Sequence, residues 1–193
     1  MLLWIPSMSY GQHPVAISFS IFNESTAIPF TRFFTTPVHP GIQFGGEVAY
    51  HHNMKSRLFQ TANLSYYYHR YLAQGIALST EFGYEYRLKA GLAFSGRLGI
   101  GYLHTFATAE EFKYEQGQYI SRPDKGNARL YPSIGLDLGF YLKQDELYSP
   151  KIFLRYQPWI EYPYSPDFIP VMTHIHLHLG ALIFLHKSKL SNE

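Results

Sequence analysis

Alternation of period two recurs along this chain in eight runs, at 14–22, 41–52, 58–71, 76–88, 91–106, 128–142, 151–163 and 173–185. That period puts successive side chains on opposite faces of an extended strand. In run 76–88, Ile76, Leu78, Phe82, Tyr84, Tyr86 and Leu88 share one face while Ala77, Ser79, Glu81, Gly83, Glu85 and Arg87 share the other. Run 128–142 sets Leu130, Ile134, Leu136, Leu138, Phe140 and Leu142 against Arg129, Ser133, Gly135, Asp137 and Gly139, and run 173–185 sets Ile175, Leu177, Leu179, Ile183 and Leu185 against His174, His176, His178 and Gly180. Almost nowhere does a helical period compete. The chain is therefore confined to all-β folds whose sheets meet a different environment on each face.

Which face meets which environment follows from the charges. Glu47, Glu81, Glu85, Arg87, Arg97, Arg129, Asp137, Arg155 and Glu161 all sit on the face of small and polar residues, and the apolar faces carry no Asp, Glu, Lys or Arg. A water-facing sheet normally displays Lys along its strands. Here Lys55, Lys89, Lys113, Lys125, Lys143, Lys187 and Lys189 fall in turns, loops or the tail, and Lys151 begins a strand. Charged residues make up 16% of the chain and aromatics 18%, against about 25% charged in soluble domains. Tyr66, Tyr68, Tyr102, Phe106, Tyr156 and Tyr162 gather at one set of strand ends and Tyr50, Tyr84, Tyr86 and Phe140 at the other, as two interfacial girdles would. The expectation is a closed antiparallel up-and-down transmembrane β-barrel of about eight strands, apolar outside, with a lumen filled by side chains.

At 193 residues the chain is expected to form one barrel domain over 12–186, with a polar tail at 187–193. Residues 1–11 read as a shortened signal-peptide remnant, because Leu2-Leu3-Trp4-Ile5 precedes small residues at Ser9 and Gly11. No apolar run is long enough for a transmembrane helix. The absence of Cys removes thiolate chemistry and Cys-type zinc sites, and a net charge of +2 gives no reason to expect nucleic acid.

Placing both termini in the periplasm makes 53–57, 89–90 and 143–150 the inner turns and 23–40, 72–75, 107–127 and 164–172 the outer connections, most of which are longer. The stretch from His178 through Gly180 to Leu185 looks like the terminal assembly signal of outer-membrane proteins: a polar residue, Gly, then alternating bulky apolar residues. It departs from that pattern in being followed by the tail His186 to Glu193. On these features the span 14–185 resembles the small eight-stranded bacterial outer-membrane barrels, the OmpA/OmpX-like group. The resemblance implies insertion by the barrel assembly machinery and contact with outer-membrane lipids, and it implies no activity.

Period two places His174, His176 and His178 in one lumen column, with Glu161 on the preceding strand, a weak candidate metal site. Along a strand alternate residues are about 6.5–7 Å apart, so one ion takes two of these imidazoles and not three. No cofactor is expected, and metal is disfavoured against hydrogen-bonding spacers in a polar lumen. The nine charged lumen residues named above read as an ion-pair network, in preference to Glu81 with Glu85 as paired catalytic carboxylates. His104 on the outward side and His69 on the inward side are the histidines a membrane-embedded hydrolase would need, but neither has a His-x-Ser-Asn run beside it. The segment 28–41 is unusually aromatic for an outer loop. Phe30, Arg32, Phe33, Phe34 and His39 are candidates either for capping the barrel mouth or for binding a partner. Segment 107–127 reads as an ordinary solvated loop.

The function expected is that of a non-enzymatic outer-membrane barrel, a structural or accessory component that binds a protein or envelope partner through its outer loops. Alternatives are an outer-membrane enzyme acting on lipid or lipopolysaccharide, and a small pore, which eight strands disfavour because side chains fill the interior.

Overall fold

The computed structural model describes residues 14–70, 72–108, 111–115, 117–122, 124–165 and 168–185. The expected signal remnant at 1–11 and the tail at 187–193 lie outside them. The strands are β1 (Val15–Thr26), β2 (His39–His52), β3 (Ser56–Tyr68), β4 (Ala73–Arg87), β5 (Leu92–Ala107), β6 (Glu111–Glu115), β7 (Gln118–Arg122), β8 (Asn127–Leu130), β9 (Ser133–Tyr141), β10 (Lys151–Glu161) and β11 (Met172–Leu185). Each wall strand pairs antiparallel with its neighbours, and β1 closes the ring on β11 in unbroken register from Val15 opposite Leu185 to Thr26 opposite His174.

β8 and β9 are two halves of one wall strand, both paired to β5. The break falls at Tyr131-Pro132, where proline has no N–H to give to a ladder; the Tyr131 N–H reaches the Gly101 carbonyl instead. Counted this way, the wall among the described residues has eight strands, a closed antiparallel up-and-down barrel. All eight runs read from the sequence are present, with ends shifted by a few residues. Segment 107–127 is more ordered than a plain solvated loop, because β6 and β7 form a hairpin within it.

The barrel is apolar outside and charged inside. Leu98 is 66% exposed and Leu78 61%, while Arg97 is 4% and Glu81 1%. Water against such a wall would be paired with the wrong surface, so the wall is built to face lipid. Exposed Tyr50, Tyr84 and Tyr86 mark the end of the short turns, and exposed Tyr66, Tyr68, Tyr102 and Tyr162 mark the end of the longer loops. Detergent-solubilised protein is expected to run differently on electrophoresis before and after boiling and to give a β-type circular dichroism spectrum. A monomer that stays in solution without detergent would reverse this reading.

The interior is layered rather than uniformly polar. Ala16, Ala93, Tyr141, Phe153, Leu182 and Phe184 form an apolar layer near the turn end. Phe22, Tyr67, Ala77, Leu103, Tyr131 and Trp159 form another toward the loops. Charges lie among and between these layers and at the mouth above, and Arg87 lies at the turn after β9. Glycines make room for the inward rings: Phe59, fully buried, lies over Gly83 on the adjacent strand, where an added Cβ would overlap the ring. Gly83→Val is therefore expected to destabilise the barrel by about 1–3 kcal/mol through overpacking, measured by denaturant unfolding in detergent.

Candidate functional site

The lumen charges are held against one another across the barrel. Asp137 on β9 bridges two guanidiniums, accepting from Arg97 Nε on β5 and from Arg155 Nε on β10, each at 2.8 Å. Arg97 also reaches Glu81 at 3.3 Å, and Gln157 donates to the other oxygen of Glu81 at 2.8 Å. Nearer the turn end Arg57 joins Glu47 and Glu85, and Glu85 also accepts from Lys151 and the Tyr141 hydroxyl. Glu81 and Glu85 are thus committed to separate cations, an arrangement unlike a catalytic carboxylate pair. Buried charges so paired and hydrogen-bonded are tolerated where single ones are not.

Arg87 differs from its expected role. It donates to the backbone carbonyls of Lys143, Gln144 and Glu146 and lies over the Tyr141 ring at 4.0 Å, pinning the turn that follows β9. Arg57, Lys151 and Glu24 were not in the expected network. Parity was the available signal. Arg57 precedes Phe59 and Thr61 by even steps, Lys151 shares parity with Arg155, and Glu24 shares parity with Ser20, so each belongs to the inward face once its strand is extended.

At the loop end the network becomes a cluster of histidines and carboxylates. His174 Nδ1 bonds Glu24 Oε1 at 2.8 Å, and its Nε2 faces Glu161 at 3.2 Å. Arg129 Nε holds the other Glu161 oxygen at 3.1 Å. The His39 and His69 rings stack 3.5 Å apart beside Glu24. Glu24, His69, Arg129, Glu161, Tyr164 and His174 line a cavity of about 320 Å³ open at the barrel mouth. Burial lowers the pKa of His69, which sits in the turn after β3; the Glu24 carboxylate opposes the shift and His39 adds to it.

The histidine column is divided by depth. His174 alone meets Glu161. His176 is buried against Phe22, with ring centroids 4.2 Å apart, and His178 bonds the Ser20 hydroxyl at 3.0 Å deeper in the barrel. His39, expected in the partner loop, is the first residue of β2 and points inward at 7% exposure.

The aromatic segment 27–38 does not cap the mouth. It folds onto the outside wall, where Phe30 and Phe33 lie 5.3 and 5.2 Å from Tyr156 on β10. The Phe30 N–H donates to the Tyr156 hydroxyl at 2.8 Å. Phe30 holds φ at +64°, an uncommon conformation for a bulky residue, kept where surroundings fix it. Tyr156, outward by parity and expected to face lipid, is consequently buried at 8%, and Ile175, also outward by parity, is buried at 2%. Arg32, Phe33 and Phe34 remain exposed.

His104 also lies on the outside. Its Nδ1 meets the Tyr102 hydroxyl at 2.7 Å and its Nε2 faces the Lys125 carbonyl at 3.3 Å.

No protein-family model matches the chain, and no curated protein matches its sequence. In structure it is similar to the outer membrane enzyme PagL, at 12% identity and a TM-score of 0.48 over 87% of this chain and 98% of that one. It is also similar to Neisserial surface protein A, at 8% identity and a TM-score of 0.49 over 88% and 95%. Ail, the attachment invasion locus protein of Yersinia pestis, is similar at 14% identity and a TM-score of 0.48 over 89% and 97%.

Proposed function

We propose that this chain is a non-conducting, non-enzymatic barrel of the bacterial outer membrane, a structural or accessory component that binds a protein or envelope partner through its loop end. The observation that carries the reading is the lumen. Its carboxylates and cations are engaged with one another and with backbone, and apolar layers lie on both sides of the charged band. An interior so filled supports a closed lumen.

Short turns lie at the end where Val15 and Leu185 pair, which supports a periplasmic position for that end. The non-enzymatic reading is supported by the surroundings of the histidines. The two nitrogens of the outward His104 face Tyr102 and a backbone carbonyl, and the Ser20–His178 pair is sealed inside the wall. On the outer wall His104 has a tyrosine hydroxyl and a backbone carbonyl beside it rather than a serine, which supports this reading.

What remains open to a partner is the loop end, where segment 27–38 is fixed to the wall through Tyr156 and displays Phe33 at 64% and Phe34 at 57% exposure. Replacing residues 28–38 by a short Gly/Ser turn is expected to leave a folded, heat-modifiable barrel that no longer co-purifies with its partner from native membranes. Planar bilayers containing the folded protein are expected to show negligible conductance. Steady, large single-channel currents would overturn the closed-lumen reading, and unchanged partner recovery after the loop replacement would overturn the binding reading.

A further inference from the structure

We propose that Glu24, His39 and His69 form a binding site for a divalent transition metal of the zinc class at the loop-end mouth of the barrel. The three come from β1, the start of β2 and the turn after β3, and pairing of these adjacent strands brings them together, with Glu24 directly opposite His39. Each offers one ligand atom, and the three atoms lie within 4.8 Å of one another. Bonds of about 2.0–2.1 Å to a tetrahedral ion place ligand atoms roughly 3.3 Å apart, so the stacked His39 and His69 rings would have to turn toward the ion on binding. Two imidazoles and a carboxylate are a donor set suited to zinc and its neighbours in the first transition row.

The surroundings orient these groups as ligands. His39 Nδ1 lies 3.3 Å from the backbone carbonyl of Glu24. A carbonyl only accepts, so Nδ1 carries the proton and Nε2 of the neutral ring carries the lone pair, the tautomer a metal requires. Glu24 is fixed through its other oxygen: His174 holds Oε1 and is itself held by Glu161. That leaves Glu24 Oε2, in a side chain 1% exposed, accepting no hydrogen bond and facing His69 Nε2 at 3.7 Å. The separation is too long for a hydrogen bond. A buried carboxylate oxygen that accepts no hydrogen bond, in a side chain whose ligand atom lies within 4.8 Å of one from each of two imidazoles, is where a cation belongs. Glu24 and His69 also line the open cavity, which gives an ion a route in and leaves a coordination position toward solvent. His174 acts here as a positioning residue that aims the Glu24 carboxylate.

The test uses the full chain, folded in detergent, stripped with chelator and titrated with zinc chloride by calorimetry, with cobalt(II) as a spectroscopic probe. One zinc per chain is expected, with a visible ligand-field band when cobalt is bound. His69→Ala and Glu24→Gln should each weaken zinc binding about tenfold or more, whereas His104→Ala, on the outer wall, should leave it unchanged. His69 lies in a turn, so its variant should keep the folded mobility on electrophoresis even if the buried Glu24→Gln does not. Absence of zinc binding by the unmodified chain would overturn the proposal, and so would unchanged affinity in folded His69→Ala. Neither result bears on conductance or partner recovery, so this site and the proposed function stand or fall separately.

Discussion

Arg97→Met is expected to destabilise the folded barrel by about 3–5 kcal/mol, the cost of leaving buried charge without its partner. Arg97 is 4% exposed and serves three carboxylates: Asp137 at 2.8 Å, Glu81 at 3.3 Å and Glu47 at 3.9 Å. Arg155 would still hold Asp137 and, at 3.6 Å, Glu81, but one cation cannot balance both. Methionine keeps much of the stem volume, so the loss reports charge rather than a cavity. The readout is denaturant unfolding in detergent or lipid vesicles, compared with the unmodified chain. A loss under about 1 kcal/mol would mean that water reaches these groups and that the lumen is not closed.

The opposite face gives the second large effect. Leu136 is 49% exposed near the middle of β9, flanked by Gly96 on β5 and Tyr156 on β10. If lipid lies against it, Leu136→Arg should cost about 2–4 kcal/mol, and Leu142→Arg, beyond the end of the same strand, only about 0–1. In water an exposed leucine on a sheet accepts arginine with little change. The depth dependence is therefore the signature of a bilayer, and similar small losses at both sites would remove it.

The alternation of small and bulky residues was enough to read the wall, because period two is imposed on every strand by one face meeting lipid and the other a packed lumen. What escaped lay at strand ends. β1 runs four residues past Phe22, where Asn23 and Ser25 break the apolar alternation, and this hid Glu24. Arg57 falls inside the turn read at 53–57, where a cation is ordinarily solvated, and Lys151 stands in that reading only as the first residue of a strand. The covering of Tyr156 by Phe30 and Phe33 is a tertiary contact between a loop and a strand more than a hundred residues later, and no periodicity records it. The cluster of Glu24, His39 and His69 escaped because Glu24 and His39 fall in the outer loop read at 23–40, whereas they face each other across β1 and β2; the histidine column was conspicuous and is mostly buried packing.

The central claim, a wall turned toward lipid around a closed charged interior, is most directly tested on β5. The chain has no cysteine, so single cysteines at successive positions 94–100 can each carry a nitroxide, with collisions against oxygen and a water-soluble nickel chelate measured in lipid vesicles. The account predicts oxygen accessibility with a period of two, maximal at Phe94, Gly96, Leu98 and Ile100, and low accessibility to both reagents at Ser95, Arg97 and Gly99. Nickel accessibility at Ser95, Arg97 and Gly99, or oxygen accessibility with no period of two, would contradict it.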